Sequence, residues 1–579
     1  MLDLVIPEKV LDHARGWMRR MVPYRFTENE ERVIRIFFTN ADRNVFFLRG
    51  LPANVQATLA SMYSRLKNPR GLRGVFVDSF LPLFLSSLIT EAADGGEEAF
   101  LRERGIKNLE GFIAYSAEAK ERYEEFVLKV GIDPKYFETF SEAEKAKRFL
   151  SLFLDQFGHN SIARMASVAV CAEEISALAA KSMEWNRPGS GYIELSTRYV
   201  DVSDHGRYPI HEEFALYGDH AAAALTESYT SDCFDAYSHQ IGENEFDGPF
   251  PNYLRGQYRE VFVNEKDLEI GVHGEACDVL GNLLPASTLT SVCAVVSGEA
   301  LPILVKHLLL DNLPETIALA EEIVFEAKKG GAGQFVSNPD RYTPTASDIA
   351  GWRYLSVDAF IALEGKTRLL SPADEDCVSI IHDLIQMKEG FNGSSIRDAL
   401  LRGLYPDGRH QFDKLPSEFE SIVVVSKGAM SFRGWRDVQR QGFAAHARTY
   451  LTPYLGFYHY PKPQPNSLYK TFNEISNRGL DVYKSFKRTP IDLRQYALPM
   501  GFLVGYTFTA NLREVEFCIW QRTKPSVNDE VRRQFLEIDE ILQERFFLWW
   551  DAASRADRTP HYLFARGSEI TLPPVRNPG

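Results

Sequence analysis

The chain has little of what would narrow its setting at once. Its 579 residues include only six cysteines, at 171, 233, 277, 293, 377 and 518, with no Cys-x-x-Cys pair and no accompanying histidines. That argues against a disulfide framework or a zinc site, so no metal is expected and reduced thiols in the cytoplasm are. Long apolar runs are missing too. The longest, Phe80 to Ile89, contains Pro82 and is too short to span a bilayer, so no membrane partner is expected. Glu8, Asp12 and Arg15 interrupt any signal-peptide core at the N-terminus. Positive charge is in deficit: 65 Lys and Arg against 79 Asp and Glu leave a net charge of −14. No global basic field draws such a chain to nucleic acid, although a local anion pocket stays open. With 45% hydrophobic and 25% charged residues the composition is globular, and the length implies two to four domains.

Glycine and proline are absent from one stretch in particular. Between Ser161 and Trp185 neither occurs, and the run can bury as strand or helix. It stops at Arg187-Pro188-Gly189, where proline lacks the N–H to continue and glycine frees the turn. Ser190, Tyr192, Glu194, Ser196, Arg198 and Tyr199 follow directly. A carboxylate, a hydroxyl and a guanidinium thus lie within five residues behind a buried element, which is where binding chemistry usually sits. From spacing alone, Glu194 and Arg198 read rather as an ordinary surface pair worth a few tenths of a kcal/mol.

The stretch resembles the signature of flavin-dependent (ThyX-type) thymidylate synthases. In that family a Gly-His-x-Ser/Thr stretch leads into Arg-His-Arg and then Ser-x-x-Glu-x-Ser-x-Arg-Tyr. Gly158-His159-Asn160-Ser161 matches the beginning, and Glu194-Leu195-Ser196-Thr197-Arg198-Tyr199 the end. The middle departs, with Trp185-Asn186-Arg187 where Arg-His-Arg is expected.

The resemblance runs through two tandem repeats, at about 111–335 and 345–579, with a helical segment 1–110 belonging to the first. In the first repeat Gly281 stands for the nucleotide-binding arginine of Ala-Arg-x-x-Leu-Pro, and Ser297-Gly298-Glu299 replaces the flavin motif Asn-x-Arg. In the second, Val423 to Val425 laid on Val168 to Val170 brings Arg440 onto Trp185, with helix expected from Ala429 to Gln441. Gln441 and Gly442 replace the last two residues of Arg-His-Arg, and Arg448-Thr449-Tyr450-Leu451-Thr452 replaces the signature loop. Downstream, Leu498-Pro499, Asn511-Leu512-Arg513 and Arg522 match the family, with Arg494 one residue from its nucleotide-binding arginine. A last helix, apolar on most of its surface, is expected from Asn528 to Trp550. Residues 204–270 read as a polar insertion. Gly330-Gly331-Ala332-Gly333 lacks the Gly-Lys-Ser/Thr ending of a phosphate loop and reads as a flexible junction. Arg65, Arg70 and Arg73 read as a solvated helix end rather than a phosphate site.

The resemblance implies an α+β fold of two ThyX-like domains, each a small mainly antiparallel sheet with helices, paired as an intramolecular pseudo-dimer. If the family's tetramer is kept, two such chains form a homodimer. The implied reaction is reductive one-carbon transfer from methylenetetrahydrofolate to C5 of dUMP, giving dTMP, with FAD as cofactor and NADPH as reductant. Arg522, Ser196 and Glu194 form the implied catalytic set. A guanidinium such as Arg522 near N3/O2 stabilises charge building on the uracil ring. Arg198, with the backbone of Leu195, Ser196 and Thr197, suits the 5′-phosphate. Asp437 and Arg440 join Glu194 on the nucleotide, while Ser161, Arg440, Asn511, Leu512 and Arg513 suit the flavin. Ser196 has no adjacent base, so hydrogen bonding is its expected role rather than attack. In the family, sites form between subunits. Here the first repeat keeps the loop and the second keeps the arginines, so one live site per chain is expected. Two alternatives stay open: C5 modification of another pyrimidine nucleotide, or a non-catalytic nucleotide- or flavin-binding relative.

Overall fold

A computed structural model describes residues 6–81 except 52 and 65–67, then 160–184, 190–195, 202–242 except 204, and 246–351 except 263. It further describes 354–387 except 362, 364–366 and 371–374, then 395–400 except 399, and 413–559. The chain divides into two compact units. One comprises residues 1–196, 206–208 and 289–352; the other comprises 197–205, 209–288 and 353–579.

The first unit is built on a four-stranded antiparallel sheet. Its strands are β1 (Val45–Leu48), β2 (Ser167–Ser176), β3 (Gly191–Glu194) and β4 (Leu289–Ser297), in the order β1-β2-β4-β3. Side chains of a strand alternate between faces, and β2 obeys this. Val168, Val170 and Ala172 enter one core with Leu301, Leu304, Leu319 and Ile323. Ala169 and Cys171 enter the other with Phe38, Phe46, Leu72 and Phe76. The sheet is therefore covered on both faces, and the strand β1 lies in the segment that sequence reading took as helices and loops. At Glu173-Glu174 the β2 register slips and Glu174 adopts φ 52°, a bulge. Glu173 there accepts from Leu72 N (2.6 Å), Tyr24 Oη (2.7 Å) and Arg73 Nη2 (3.2 Å). Arg73 is fully buried, and Arg70 pairs with Glu30 at 3.1 Å. These two arginines hold the N-terminal segment on the sheet and are not a solvated helix end; Arg65 lies outside the described residues.

The glycine run is not a junction between units. The helix Pro314–Lys329 ends there, Gly331 supplies φ 77°, and a side chain at Gly330 would strike Phe47. The turn is packed on the first sheet.

The second unit repeats the plan with β5 (Arg368–Leu369), β6 (Val423–Ser431), β7 (Ala445–Arg448) and β8 (Leu503–Asn511), in the order β5-β6-β8-β7. Helix was expected from Ala429, but β6 continues to Ser431 and the helix is Phe432–Val438. The last long helix is Asp529–Arg545, shorter than expected and buried on one face through Val531, Phe535, Ile538 and Leu542. The stretch read as a polar insertion is largely helical. Its helix His220–Ile241 buries Thr226, Tyr229, Cys233 and Tyr237 at helical spacing. Tyr229 Oη donates to Ile475 O at 2.7 Å on the helix Asn466–Ser485. Its Ala and Thr content lacks a strong apolar stripe, which is why the composition concealed it.

Candidate functional site

Matching hydrogen bonds set the equivalence of the two sheets residue by residue. Leu195 N donates to Ser291 O and Thr449 N to Gly505 O, each at 2.8 Å. Gly298 N donates to Ala166 O at 3.1 Å, as Leu512 N does to Ile422 O at 2.8 Å. Each central strand then delivers a seven-residue helix, Ala177–Met183 or Phe432–Val438. Its N-cap serine is clasped by a buried glutamate. Ser176 Oγ accepts from Ala179 N at 2.9 Å and donates to Glu315 at 2.6 Å. Ser431 Oγ accepts from Gly434 N at 2.9 Å and donates to Glu530 at 2.5 Å. The caps satisfy helix-end N–H groups that would otherwise be orphaned in the core. By this register Met183, the last residue of the first helix, corresponds to Val438. Before the β2 bulge the correspondence shifts by one, so Val423 falls on Ser167.

Around the second helix end, Arg440 Nη1 lies 3.9 Å from Asp437 Oδ1 with its side chain partly exposed. Gln441 follows, buried. Its amide, oriented by its hydrogen bonds, presents the carbonyl oxygen to Arg522 Nε at 2.6 Å and to Arg522 Nη2. The other end of that amide lies 3.3 Å from Cys518 Sγ. Burial pushes the Cys518 thiol well up, with Glu514 acting the same way and Arg522 against it, so it stays protonated. Gln441 O accepts from His446 Nε2 at 3.3 Å. Burial depresses the His446 imidazole to about 4, against the raising effect of that bond, so the ring is neutral near pH 7. The structure therefore brings Arg440, Gln441 and Arg522 to one neighbourhood, with Asp437 beside Arg440. Gln441 counted as a loss in the sequence; its role as an acceptor for Arg522 needs the fold.

The flavin candidates split differently. Asn511 Oδ1 accepts from Glu514 N at 2.9 Å, capping the helix Leu512–Arg522. Leu512 is buried. Arg513 donates to Leu415 O and pairs with Glu420, whose side chain is 49% exposed. In the first unit Ser297 Oγ takes the Asn511 place, accepting from Ala300 N at 3.2 Å. Glu299 takes that of Arg513 and pairs with Arg164, which takes that of Glu420. The same ion pair occurs in both repeats with its sign reversed. Exposed pairs of this kind are worth about 0–1 kcal/mol, so Arg513 is cheaply released to an anionic group, whereas Glu299 repels one. Ser161, on the short helix Asn160–Arg164, is exposed.

Glu194 ends β3 with its carboxylate buried and paired with Lys181 Nζ at 2.9 Å. Leu195 follows, bonded to Ser291. Ser196, Thr197 and Arg198 lie outside the described residues, as do Gly158, His159, Trp185 and Arg187.

The two Leu-Pro segments lie in the second unit and exchange reciprocal bonds. Ala286 N donates to Leu498 O and Met500 N to Leu284 O, both at 2.8 Å. A Cβ at Gly281 would fall 2.5 Å from Arg433 Nε and 2.9 Å from Cys277 O, so a side chain there would force its neighbours to shift. Arg494 donates to Thr489 O through Nε and Nη2, at 3.0 and 2.9 Å.

Among the described residues no helix is long and apolar enough to cross a membrane, and no cluster of three or more His, Cys, Asp or Glu could hold a metal. Residues 112–329 match the family model described as thymidylate synthase complementing protein. A UPF0159 protein of Thermoplasma acidophilum is 25% identical over 448 residues, covering 69% of this chain and 87% of its own length. A UPF0159 protein of Chlamydia muridarum is 21% identical over 562 residues, 90% of this chain and 93% of its own. One of Chlamydia pneumoniae is 22% identical over 540 residues, 88% of this chain and 90% of its own.

Proposed function

We propose, because residues 112–329 match the model of the thymidylate synthase complementing protein family, that the chain is a flavin-dependent thymidylate synthase-like enzyme, converting dUMP to dTMP with methylenetetrahydrofolate and NADPH as co-substrates. The observation that carries this reading is the Gln441–Arg522 contact. A neutral amide orients the guanidinium without cancelling its charge, which is what stabilising an anionic uracil ring requires. Arg440 and Asp437 would contact the nucleotide beside it. The buried Lys181–Glu194 pair makes Glu194 an anchor and hydrogen-bond acceptor rather than a proton-transferring base.

The residues suit a flavin in the second repeat and not in the first. Arg513 is the second residue of an 11-residue helix capped by Asn511, so a pyrophosphate would meet a guanidinium and a favourable helix end. Glu299 opposes one at the matching place. When bound, reduced FAD supplies hydride. Cys518, protonated and buried, is not used as a nucleophile. A homodimer of such chains in the cytoplasm completes the proposal.

The purified full chain should be yellow, absorbing near ~450 nm as flavins do, and should form dTMP from dUMP with FAD, NADPH and methylenetetrahydrofolate. Colourless protein that ignores added FAD would remove the enzymatic reading. Flavin binding and nucleotide binding without dTMP would instead favour a related one-carbon or reductive reaction on another pyrimidine.

A further inference from the structure

Three equivalent positions carry opposite charge in the two repeats. In the first, the fifth residue of the capped helix is Lys181, the residue after that helix is Glu184, and β3 ends on Glu194. Lys181 Nζ pairs with both carboxylates, so this buried cluster supplies its own counter-charges. In the second repeat the same places hold Arg436, Gln439 and Arg448. One cation with two carboxylates has become two cations and an amide.

Arg448 is buried, and its hydrogen-bond partners are all neutral. Nη1 donates to Thr449 O at 2.9 Å and Gln495 Oε1 at 2.8 Å, and Nη2 to Tyr354 Oη at 3.3 Å. Nε takes part in none of these bonds. The rings of Tyr354, Phe432 and Trp435 lie 4.7, 5.2 and 5.3 Å from the guanidinium carbon. Ring faces recover part of the cost of burying a cation, but not the several kcal/mol that an uncompensated buried charge loses. A second donor is stranded beside it. The Trp435 side chain is 4% exposed, and its buried Nε1–H has no hydrogen-bond partner. A buried guanidinium without a carboxylate, next to an unmet indole N–H, lacks one thing: an acceptor carrying negative charge.

We propose that Arg448 and Trp435 form a binding site for an oxyanion, a carboxylate or phosphate group. Guanidinium donors match two oxygens of either group. The ligand supplies the charge that Glu194 supplies within the first repeat. This site stands without the synthase reading, because its test uses neither flavin nor nucleotide.

The full chain is melted with inorganic phosphate, acetate or chloride at matched ionic strength. Wild-type protein should melt higher in phosphate or acetate than in chloride, saturably, as for a ligand that binds only the folded state. The larger shift assigns the group as phosphate or carboxylate. Arg448→Met should weaken the fitted anion affinity about ten- to a hundredfold, and Trp435→Phe about tenfold. If Arg448→Met does not fold, Trp435→Phe and Arg448→Lys carry the test, since neither removes the bulk or charge that supports the core. The same anion affinity in wild type and in all folded variants would overturn the site, as would a wild-type melt that phosphate and acetate leave unchanged.

Discussion

In the first repeat β3 ends on Glu194 and the helix after β4 is preceded by Glu299; the second repeat carries Arg448 and Arg513 at those two places. The scaffolds nevertheless agree bond for bond. Sheet order, serine caps, glutamate clasps and the Leu195 and Thr449 backbone bonds all recur. Buried groups that hold the sheet to its helix have been kept, because removing one partner leaves an unsatisfied polar group in the core. The charged groups at the ends of the strands and helices differ in sign. A pair such as Arg164–Glu299 can be inverted to Glu420–Arg513 at little cost to stability, while its attraction for an anion is abolished or created. The comparison teaches that the repeats differ in charge rather than in architecture, and on the proposed reading it is charge that divides the labour between them.

Breaking the cationic side should have the largest effect. Arg522→Ala is expected to lower kcat/KM for dUMP by about a hundredfold or more, as for other preorganised charge-stabilising donors. Gln441→Leu, which leaves the charge but removes its orientation, should cost about tenfold. Gln441→Glu should do at least as much damage by neutralising Arg522. Rates of dTMP formation in single turnover check all three. Unchanged rates for Gln441→Leu would remove the orienting role.

The shared scaffold should respond symmetrically. Ser176→Ala and Ser431→Ala should each cost about 1–2 kcal/mol in denaturant unfolding, because each removes a helix cap and a bond to a buried carboxylate. Markedly unequal losses would show that the two clasps are not equivalent in energy.

A smaller effect separates the repeats by pH. His446, whose place in the first repeat is held by Tyr192, has an imidazole depressed to about 4 from 6.5. The unfolded chain binds that proton first as pH falls, so stability is lost between about 6.5 and 4. The slope for one such group is at most about 1.4 kcal/mol per pH unit. His446→Phe should flatten the fall of the denaturation midpoint over this window. An identical fall in wild type and variant would show that His446 does not titrate in this way.

The two-repeat plan was readable because β-rich runs and Leu-Pro landmarks recur in order. The structure alters the sequence alignment by one residue ahead of the bulge at Glu173-Glu174, where Val423 falls on Ser167 rather than Val168, and Trp185 lies outside the described residues. The burial of Arg73 was not readable, since its partners Tyr24, Asn40 and Glu173 come from three separate segments. Nor was the role of Gln441, which depends on Arg522 reaching it from another helix. The helices within 204–270 escaped because Ala- and Thr-rich faces give weak hydrophobic periodicity. Loop residues Ser196 to Arg198 were legible as a motif and lie outside the described residues.

The most direct test of this division of charge is the flavin content of the full chain. Titration with FAD, read by absorbance and by equilibrium dialysis, should saturate at one flavin per chain. Arg513→Glu should abolish binding, and Glu299→Ala should leave the stoichiometry at one. Two flavins per chain, or one retained by the Arg513→Glu protein, would contradict the account.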